Sequence, residues 1–154
     1  MRLKTEIKTK EKIPRDGLHK DQPLKIGIVV AEWYWDEITS KMLDSALTTA
    51  AEKNVQVEVV KVPGSWEIAF GTKQLLMRKD IAGVVTLGAV VEGDTDHDKL
   101  ITYTVGNKII DLSCEYNKPV TLGITGPKMS FRQAVKRVDK GKEAMLACVE
   151  LLQK

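Results

Sequence analysis

Short apolar runs alternate along the chain with segments in which apolar residues recur every three or four positions. A short apolar run bounded by turn-forming residues is typical of a buried β-strand, and the longer recurrence is typical of a helix with one buried face. The runs predict four strands, at Leu24–Ala31, Val55–Val62, Gly83–Val90 and Pro119–Ile124. The recurrent segments predict five helices. Three run from Asp36 to about Lys53, from a cap at Ser65 to about Arg78 and from about Asp98 to Tyr116. A short helix from Ser130 to about Arg137 and a separate last helix that ends at Leu152 follow.

The alternation of strands and helices predicts a three-layer α/β/α domain with a parallel four-stranded sheet. Right-handed crossovers restrict the topology, and the expected strand order is 2-1-3-4, as in flavodoxin-like folds. The winding then reverses between strands 1 and 3, and such sheets bind ligands at the carboxyl ends of the strands at that point. We therefore expect a cleft lined by the loops Glu32–Trp35, Pro63–Glu67 and Val91–His97.

Residues 1–22 differ from the rest of the chain because they are polar and rich in lysine, with Pro14 and Gly17 among them. Leu3, Thr5 and Ile7 alternate with charged residues, which is a weak strand pattern. A strand outside the main sheet would need the exposed edge of another subunit. We therefore expect an N-terminal arm with one strand at 1–22 and an α/β domain at 23–154.

Length and composition exclude several classes of protein. The chain has 154 residues, of which 43% are hydrophobic and 29% charged, which fits one globular domain. The net charge of +3 is too small to indicate nucleic-acid binding. No apolar run is long enough for a membrane span or a signal peptide, so a cytoplasmic location is expected. Cys114 and Cys148 lie in helical patterns and are expected to be buried free thiols that bind no metal.

The segment Gly88–Asp98 contains the candidate chemistry with the clearest physical basis. It follows a buried strand at the predicted switch point and includes glycines, a threonine, several acids and His97. Histidine is the side chain whose ordinary pKa lies near neutrality, so His97 is a candidate for proton transfer. The alternative is that His97 only marks the start of the following helix.

Other candidates lie in the loops that follow the strands. The three tryptophans all follow strands, and a planar ligand stacked on Trp33 or Trp66 would explain this placement; the alternative is that they fill the core. Glu67 is either a ligand contact or an acid that stabilises the start of a helix. Arg137 is either an anion-binding side chain or a solvated helix residue. The Gly93–Thr95 turn has backbone N–H groups suited to phosphate, but the spacing of glycines favours neither a dinucleotide nor a nucleoside triphosphate.

Three segments together resemble the signature regions of the lumazine synthase family. They are Val62–Ile68 (VPGSWEI), Leu87–Asp98 (LGAVVEGDTDHD) and Gln133–Arg137 (QAVKR), in the order and spacing of that family. The resemblance covers roughly residues 24–152, and Pro119–Pro127 is most similar to the archaeal branch. It implies a transferase of riboflavin biosynthesis that condenses 5-amino-6-(D-ribitylamino)uracil with 3,4-dihydroxy-2-butanone 4-phosphate, releases phosphate and water, and needs no cofactor or metal.

The resemblance also implies a role for individual residues. Trp33 would stack on the uracil ring, and His97 would move protons. The ring edge and the ribityl chain would be held by Ser65, Trp66 and Glu67, with backbone contacts from Ala89, Val90 and Val91. The phosphorylated ketone would be held by Asp94, Thr95 and Arg137. Leu122 and Arg137 would reach the site of a neighbouring subunit, because the family forms homopentamers, some of which build icosahedral shells.

The sequence departs from the family pattern in several places. Tyr34 stands where many members have asparagine, Leu122 where bacterial members have an aromatic residue, and Ala69 where proline is common. Lys140 and Lys142 are both candidates for the basic residue that assists phosphate binding. The alternatives are an archaeal riboflavin synthase, which lacks this histidine loop, and a non-catalytic flavin-binding or shell-forming descendant or designed assembly on the same scaffold.

Overall fold

The strands pair in the order that the alternating pattern predicts. A computed structural model describes residues 23–154, and in it the four strands form one parallel sheet of order β2-β1-β3-β4. This confirms the predicted topology, whereas the predicted arm strand lies outside the described residues. The strands are β1 (Lys25–Ala31), β2 (Gln56–Val62), β3 (Gly83–Ala89) and β4 (Val120–Thr125).

Within residues 23–154, five α-helices connect and flank the strands, and two of them begin with an irregular turn. The predicted first helix starts as a π-helical turn, Trp35–Thr39, because the Tyr34 carbonyl accepts hydrogen bonds from both Ile38 N–H and Thr39 N–H. The predicted second helix starts as a 3₁₀ turn, Ser65–Glu67. The helices are α1 (Ser40–Glu52), α2 (Ile68–Leu76), α3 (His97–Tyr116), α4 (Phe131–Val135) and α5 (Lys140–Gln153).

Alternate residues of the central strands build the two apolar layers. Ile28 of β1 belongs to the core that includes α1 and α5, whereas its neighbour Val29 belongs to the core that includes α2 and α3. This follows from the period of two along a strand, which sends successive side chains to opposite faces of the sheet. The two helix pairs therefore cover opposite faces and leave the carboxyl ends of the strands open.

An ionic cluster lies at the other end of the sheet, near the amino end of β1. Lys25 Nζ is 3.0 Å from a Glu58 carboxylate oxygen and 3.1 Å from Asp80 Oδ2. Arg78 pairs with both acids, and its Nη2 is 2.7 Å from Asp80 Oδ2. Hydrogen bonds from Arg78 and then Lys25 hold the pKa of Asp80 well below its usual range. The cluster ties β1, β2 and the turn before β3 together.

The two cysteines differ in a way that the sequence pattern did not predict. Cys148 is buried, and burial raises the pKa of its thiol to about 12. Cys114 is exposed, so the prediction that both thiols are buried was wrong for this residue. The buried stripe of α3 passes through Ile109 and Leu112, and a residue two positions after Leu112 points away from it. Across residues 23–154, none of the helices combines the length and apolarity needed to cross a membrane.

Candidate functional site

A cleft of ≈ 600 Å³ opens at the carboxyl ends of β1, β2 and β3, where the winding of the sheet reverses. The segment after β1 contributes Trp33 and Tyr34, and the segment after β2 contributes Pro63–Glu67. The end of β3 and its loop contribute Ala89–Val91 together with Gly93 and Thr95. The first two turns of α3 complete the wall with His97, Asp98 and Ile101.

Most of the residues predicted from the sequence lie together in this cleft. Asp94 instead lines an adjoining cavity, and Leu122 and Arg137 line neither cavity of their own chain. Those in the cleft are Trp33, Ser65, Trp66, Glu67, Ala89, Val90, Val91, Thr95 and His97.

Two exposed tryptophans flank the cleft. Trp33 is 66% exposed and Trp66 is 50% exposed, so both indole rings are accessible to a ligand. The Trp33 ring meets the Tyr34 ring edge-on, with centroids 6.1 Å apart, and Tyr34 lies against Phe131. The Trp33 backbone is held by its N–H, which donates to the Pro63 carbonyl at 3.1 Å. The Trp33 backbone is therefore held in place while most of the residue stays exposed.

Trp35 has a different role, although it is only two residues away. It is half-buried against the core beside α1, and Lys61 Nζ lies 4.0 Å from its ring centroid. The core-filling alternative therefore holds for Trp35, whereas Trp33 and Trp66 are not core fillers. The division coincides with the start of the π-helical turn, which begins at Trp35.

The turn after β2 is capped by Glu67 and not by Ser65, so the prediction of a Ser65 cap was wrong. Glu67 Oε2 accepts a hydrogen bond from the Gly64 N–H at 2.9 Å. Ser65 is buried, and its Oγ has no hydrogen-bond partner among the residues that the structure describes. Because an unpaired buried hydroxyl is costly, Ser65 Oγ is suited to bind a polar ligand atom in the cleft.

Gly88 makes room for the Ser65 hydroxyl. A Cβ atom at Gly88 would lie 2.5 Å from Ser65 Oγ and 3.0 Å from Ile68 Cδ1, which is closer than non-bonded atoms pack. Any larger residue at this position of β3 would displace Ser65 and the wall of the cleft. The glycine next to the end of this strand is therefore a steric requirement of the site.

His97 is the first residue of α3, and its side chain is exposed on the wall of the cleft. Its backbone N–H lies 3.4 Å from Thr95 Oγ1, which links the residue to the preceding turn. The residue marks the helix start and also faces the cleft, and its role in proton transfer stays a prediction. An exposed imidazole in this position can exchange protons with a bound ligand.

Asp98 is a site residue to which the sequence pattern assigned no role. Its carboxylate is buried, and Oδ2 accepts a hydrogen bond from the Lys128 backbone N–H at 2.9 Å. This bond is the main reason why the pKa of Asp98 lies below its usual value. The two residues are 30 positions apart, so no local signal in the sequence could have indicated the contact.

A second cavity of ≈ 360 Å³ adjoins the cleft, since Gly93, Thr95 and Asp98 line both. The remaining lining residues are Glu92, Asp94, Asp96, Lys99 and Lys128. In residues 23–154 no group of three or more His, Cys, Asp or Glu side chains is arranged to hold a metal ion. Both lysine and acidic side chains line this cavity.

Leu122 and Arg137 lie outside the cleft, on surfaces that a neighbouring molecule can reach. Leu122 is on the edge strand β4 and is 54% exposed. Arg137 is exposed in the turn between α4 and α5, where its N–H donates to the Ala134 carbonyl at 3.0 Å. Their contribution to a site on a neighbouring subunit stays a prediction.

Comparison with known proteins shows which family has this arrangement. The sequence profile described as 6,7-dimethyl-8-ribityllumazine synthase matches residues 23–154. The chain belongs to this family. The matched range coincides with the described α/β domain and with its cleft.

Several relatives in this family share about half of their residues with the chain. The 6,7-dimethyl-8-ribityllumazine synthase of Picrophilus torridus is 50% identical over 131 residues, covering 84% of this chain and 96% of the relative. The enzyme of the same name from Metallosphaera sedula is 50% identical over 122 residues, which cover 79% of this chain and 80% of the relative. The one from Methanobrevibacter smithii is 47% identical over 127 residues, which cover 82% of this chain and 91% of the relative. All three sources are archaea, which confirms the predicted archaeal type.

Proposed function

We propose that this chain is a lumazine synthase of riboflavin biosynthesis. It would condense 5-amino-6-(D-ribitylamino)uracil with 3,4-dihydroxy-2-butanone 4-phosphate to 6,7-dimethyl-8-ribityllumazine, with release of phosphate and water. The observation that supports this most strongly is the convergence of three separate segments, after β1, β2 and β3, on one cleft in a member of this family. We expect the reaction to need neither a metal nor an organic cofactor.

The pyrimidine would lie beside the exposed tryptophans of the cleft. The uracil ring would stack on the exposed face of Trp33, since aromatic contacts of this kind give large area at small entropic cost. Ser65 Oγ, which is buried and unpaired, would hydrogen-bond to a polar atom of the ring edge or ribityl chain beside Trp66 and Glu67. Backbone groups of Ala89–Val91, at the carboxyl end of β3, would contact the ring from the opposite side.

The phosphorylated ketone fits the half of the cleft that adjoins α3. Asp94 and Thr95 lie in the turn before the helix, and Arg137 of an adjacent subunit would supply a cation for the leaving phosphate. His97 would shuttle protons during imine formation, phosphate elimination and ring closure. Holding two substrates in one orientation supplies much of the remaining acceleration, up to roughly 7–11 kcal/mol in well-oriented systems.

A homo-oligomer would complete the site. Large apolar side chains are exposed on α2, at the residue after it and on α3, which supports the proposal that another subunit covers this surface. We propose a pentamer, alone or in a closed icosahedral shell, acting in the cytoplasm on small-molecule substrates without nucleic-acid or membrane partners. The exposed side chains are Phe70, Met77, Leu100, Tyr103 and Ile110.

The proposal is tested by mixing the purified protein with both substrates and recording the absorbance and fluorescence of the lumazine product. The expected result is product formation by the wild type that slows by roughly 10–100-fold or more in the His97→Ala variant. A wild-type protein that forms no product but binds flavin or assembles into shells would favour the non-catalytic alternative. Formation of riboflavin from two lumazines would instead favour the riboflavin synthase alternative.

A further inference from the structure

We propose that Lys128 recognises the phosphate group of the ketone substrate that is bound in its own subunit, and that Asp98 positions Lys128. The inference rests on the proposed function and adds a residue to those that the family resemblance implies. It is carried by the place of Lys128 in the second cavity and by the bonds that hold its backbone there.

The turn Gly126–Ser130 is fixed at two points, to Glu92 in the loop after β3 and to Asp98 in the first turn of α3. The Lys128 N–H donates to Asp98 Oδ2 at 2.9 Å, and the Glu92 N–H donates to the Met129 carbonyl at 2.8 Å. Gly126 (φ 112°) and Lys128 (φ 57°) both have left-handed backbone conformations, so the turn follows a defined path. These bonds hold Lys128 beside Asp94 and Thr95 at the wall of the second cavity.

The charges in this cavity distinguish Lys128 from the other lysine. Lys99 Nζ is 2.9 Å from Asp96 Oδ1, so its charge is already paired. The Asp98 carboxylate is bound by backbone N–H groups, first that of Lys128. Among residues 23–154 no carboxylate pairs with the Lys128 ammonium group. Lys128 is thus the cation of the cavity that is available to an incoming anion.

Acidic side chains also line this cavity, so the binding of a phosphate there depends on the Lys128 cation. Glu92 and Asp94 are exposed on the same cavity, and two carboxylates disfavour the approach of a phosphate dianion. The unpaired ammonium group of Lys128 offsets part of this repulsion and can donate a charge-assisted hydrogen bond to a phosphate oxygen. Arg137 cannot provide this from its own subunit, because it lines neither cavity.

The first experiment compares steady-state kinetics of the wild type with Lys128→Met and Lys128→Arg. Lys128→Met should raise KM for the phosphorylated ketone by about tenfold, the loss expected for one charge-assisted bond, while KM for the pyrimidine changes less than about twofold. Lys128→Arg keeps the charge and should recover most of the affinity. The matched control is Lys41→Met, on the exposed surface of α1, which should leave both constants unchanged.

The second experiment separates the positioning role of Asp98 from its charge. Asp98→Asn and Asp98→Ala both remove the charge, but only the asparagine keeps an oxygen that accepts the Lys128 N–H. Asp98→Ala should therefore weaken ketone binding as Lys128→Met does, whereas Asp98→Asn should not. Equal effects of the two substitutions on KM would overturn the positioning role.

A binding measurement keeps this inference separate from the proposed reaction. Inorganic phosphate, titrated into the full-length protein and followed by ³¹P NMR, should bind more weakly to Lys128→Met than to the wild type or to Lys41→Met. If the wild type makes lumazine but Lys128→Met keeps the wild-type KM and phosphate affinity, the inference fails and the proposed function stands. If the wild type makes no lumazine yet binds phosphate through Lys128, the proposed function fails and Lys128 remains an anion site.

Discussion

Several side chains of the cleft and of the adjoining cavity are exposed, whereas the backbone near them is held by hydrogen bonds. Trp33 is fixed through its N–H to the Pro63 carbonyl, the Gly64 N–H through Glu67, and Lys128 through Asp98. Binding groups that remain accessible on a fixed backbone are typical of functional loops on a rigid scaffold. Substitution of the exposed groups is therefore expected to change chemistry more than folding.

His97→Ala should lower turnover by roughly 10–100-fold or more, the usual contribution of an acid or base. Folding should survive, because His97 is bonded to its neighbours through its backbone N–H and its imidazole is exposed. The measurement is kcat for lumazine formation together with a thermal melt of the same preparation. Wild-type turnover in a folded variant would remove the proton-transfer role.

Gly88→Ala should damage both stability and the cleft, because its Cβ would lie 2.5 Å from Ser65 Oγ. Overpacking of this kind costs about 1–3 kcal/mol, and the displaced Ser65 should raise KM for the pyrimidine. Gly106→Ala is the matched control, since nothing lies within 4 Å of its added Cβ and alanine favours the helix. Urea unfolding that gives the two variants equal stability would contradict the steric interpretation.

At the scale of elements, the ionic cluster fastens the amino end of β1 to β2 and to the turn before β3. Arg78 and Lys25 lower the pKa of Asp80, so Asp80 stabilises the fold when it is charged. This contribution is present above the ordinary pKa of 3.8 and is lost as the pH falls below it. It is modest, because the side chains are partly exposed and solvent screens them.

Asp80→Asn should therefore lower stability at pH 7, and the difference from the wild type should shrink as the pH falls towards 3, where the wild-type advantage is being titrated away. Urea unfolding of both proteins at the two pH values measures this. Asp44→Asn, an exposed acid of α1 outside the cluster, is the control and should show little difference at either pH. A constant gap between Asp80→Asn and the wild type across this range would show that the effect is not ionic.

At the scale of the whole molecule, the site is divided between chains if Arg137 acts on a neighbour. His97 lies in the cleft, whereas Arg137 lines neither cavity of its own subunit. A shared site predicts that activity requires the oligomer. It also predicts that two different inactive variants recover activity when their subunits are combined in one oligomer.

Arg137→Ala and His97→Ala should each be nearly inactive alone, yet a mixed oligomer should recover part of the activity. An Arg137→Ala subunit still supplies His97, and a His97→Ala neighbour still supplies Arg137, so some interfaces contain a complete site. The measurement is lumazine formation after the two variants are unfolded and refolded together, compared with each refolded separately. No recovery in a verified mixed oligomer would place both groups in one subunit's site.

The strands, their order, the switch point and the family could all be predicted from the amino-acid pattern, because they depend on periodicity, handed crossovers and three local signatures. The pattern also predicted most of the cleft, since residues that follow parallel strands meet at one edge of the sheet. The pattern did not show that Trp35 packs inward, that Cys114 is exposed or that Glu67, not Ser65, caps its turn; these follow from packing in the folded chain. The hydrogen bond between Lys128 and Asp98 is likewise visible only in the folded chain. The physical reason is that side-chain direction and contacts between distant segments follow from packing, which has no period along the chain.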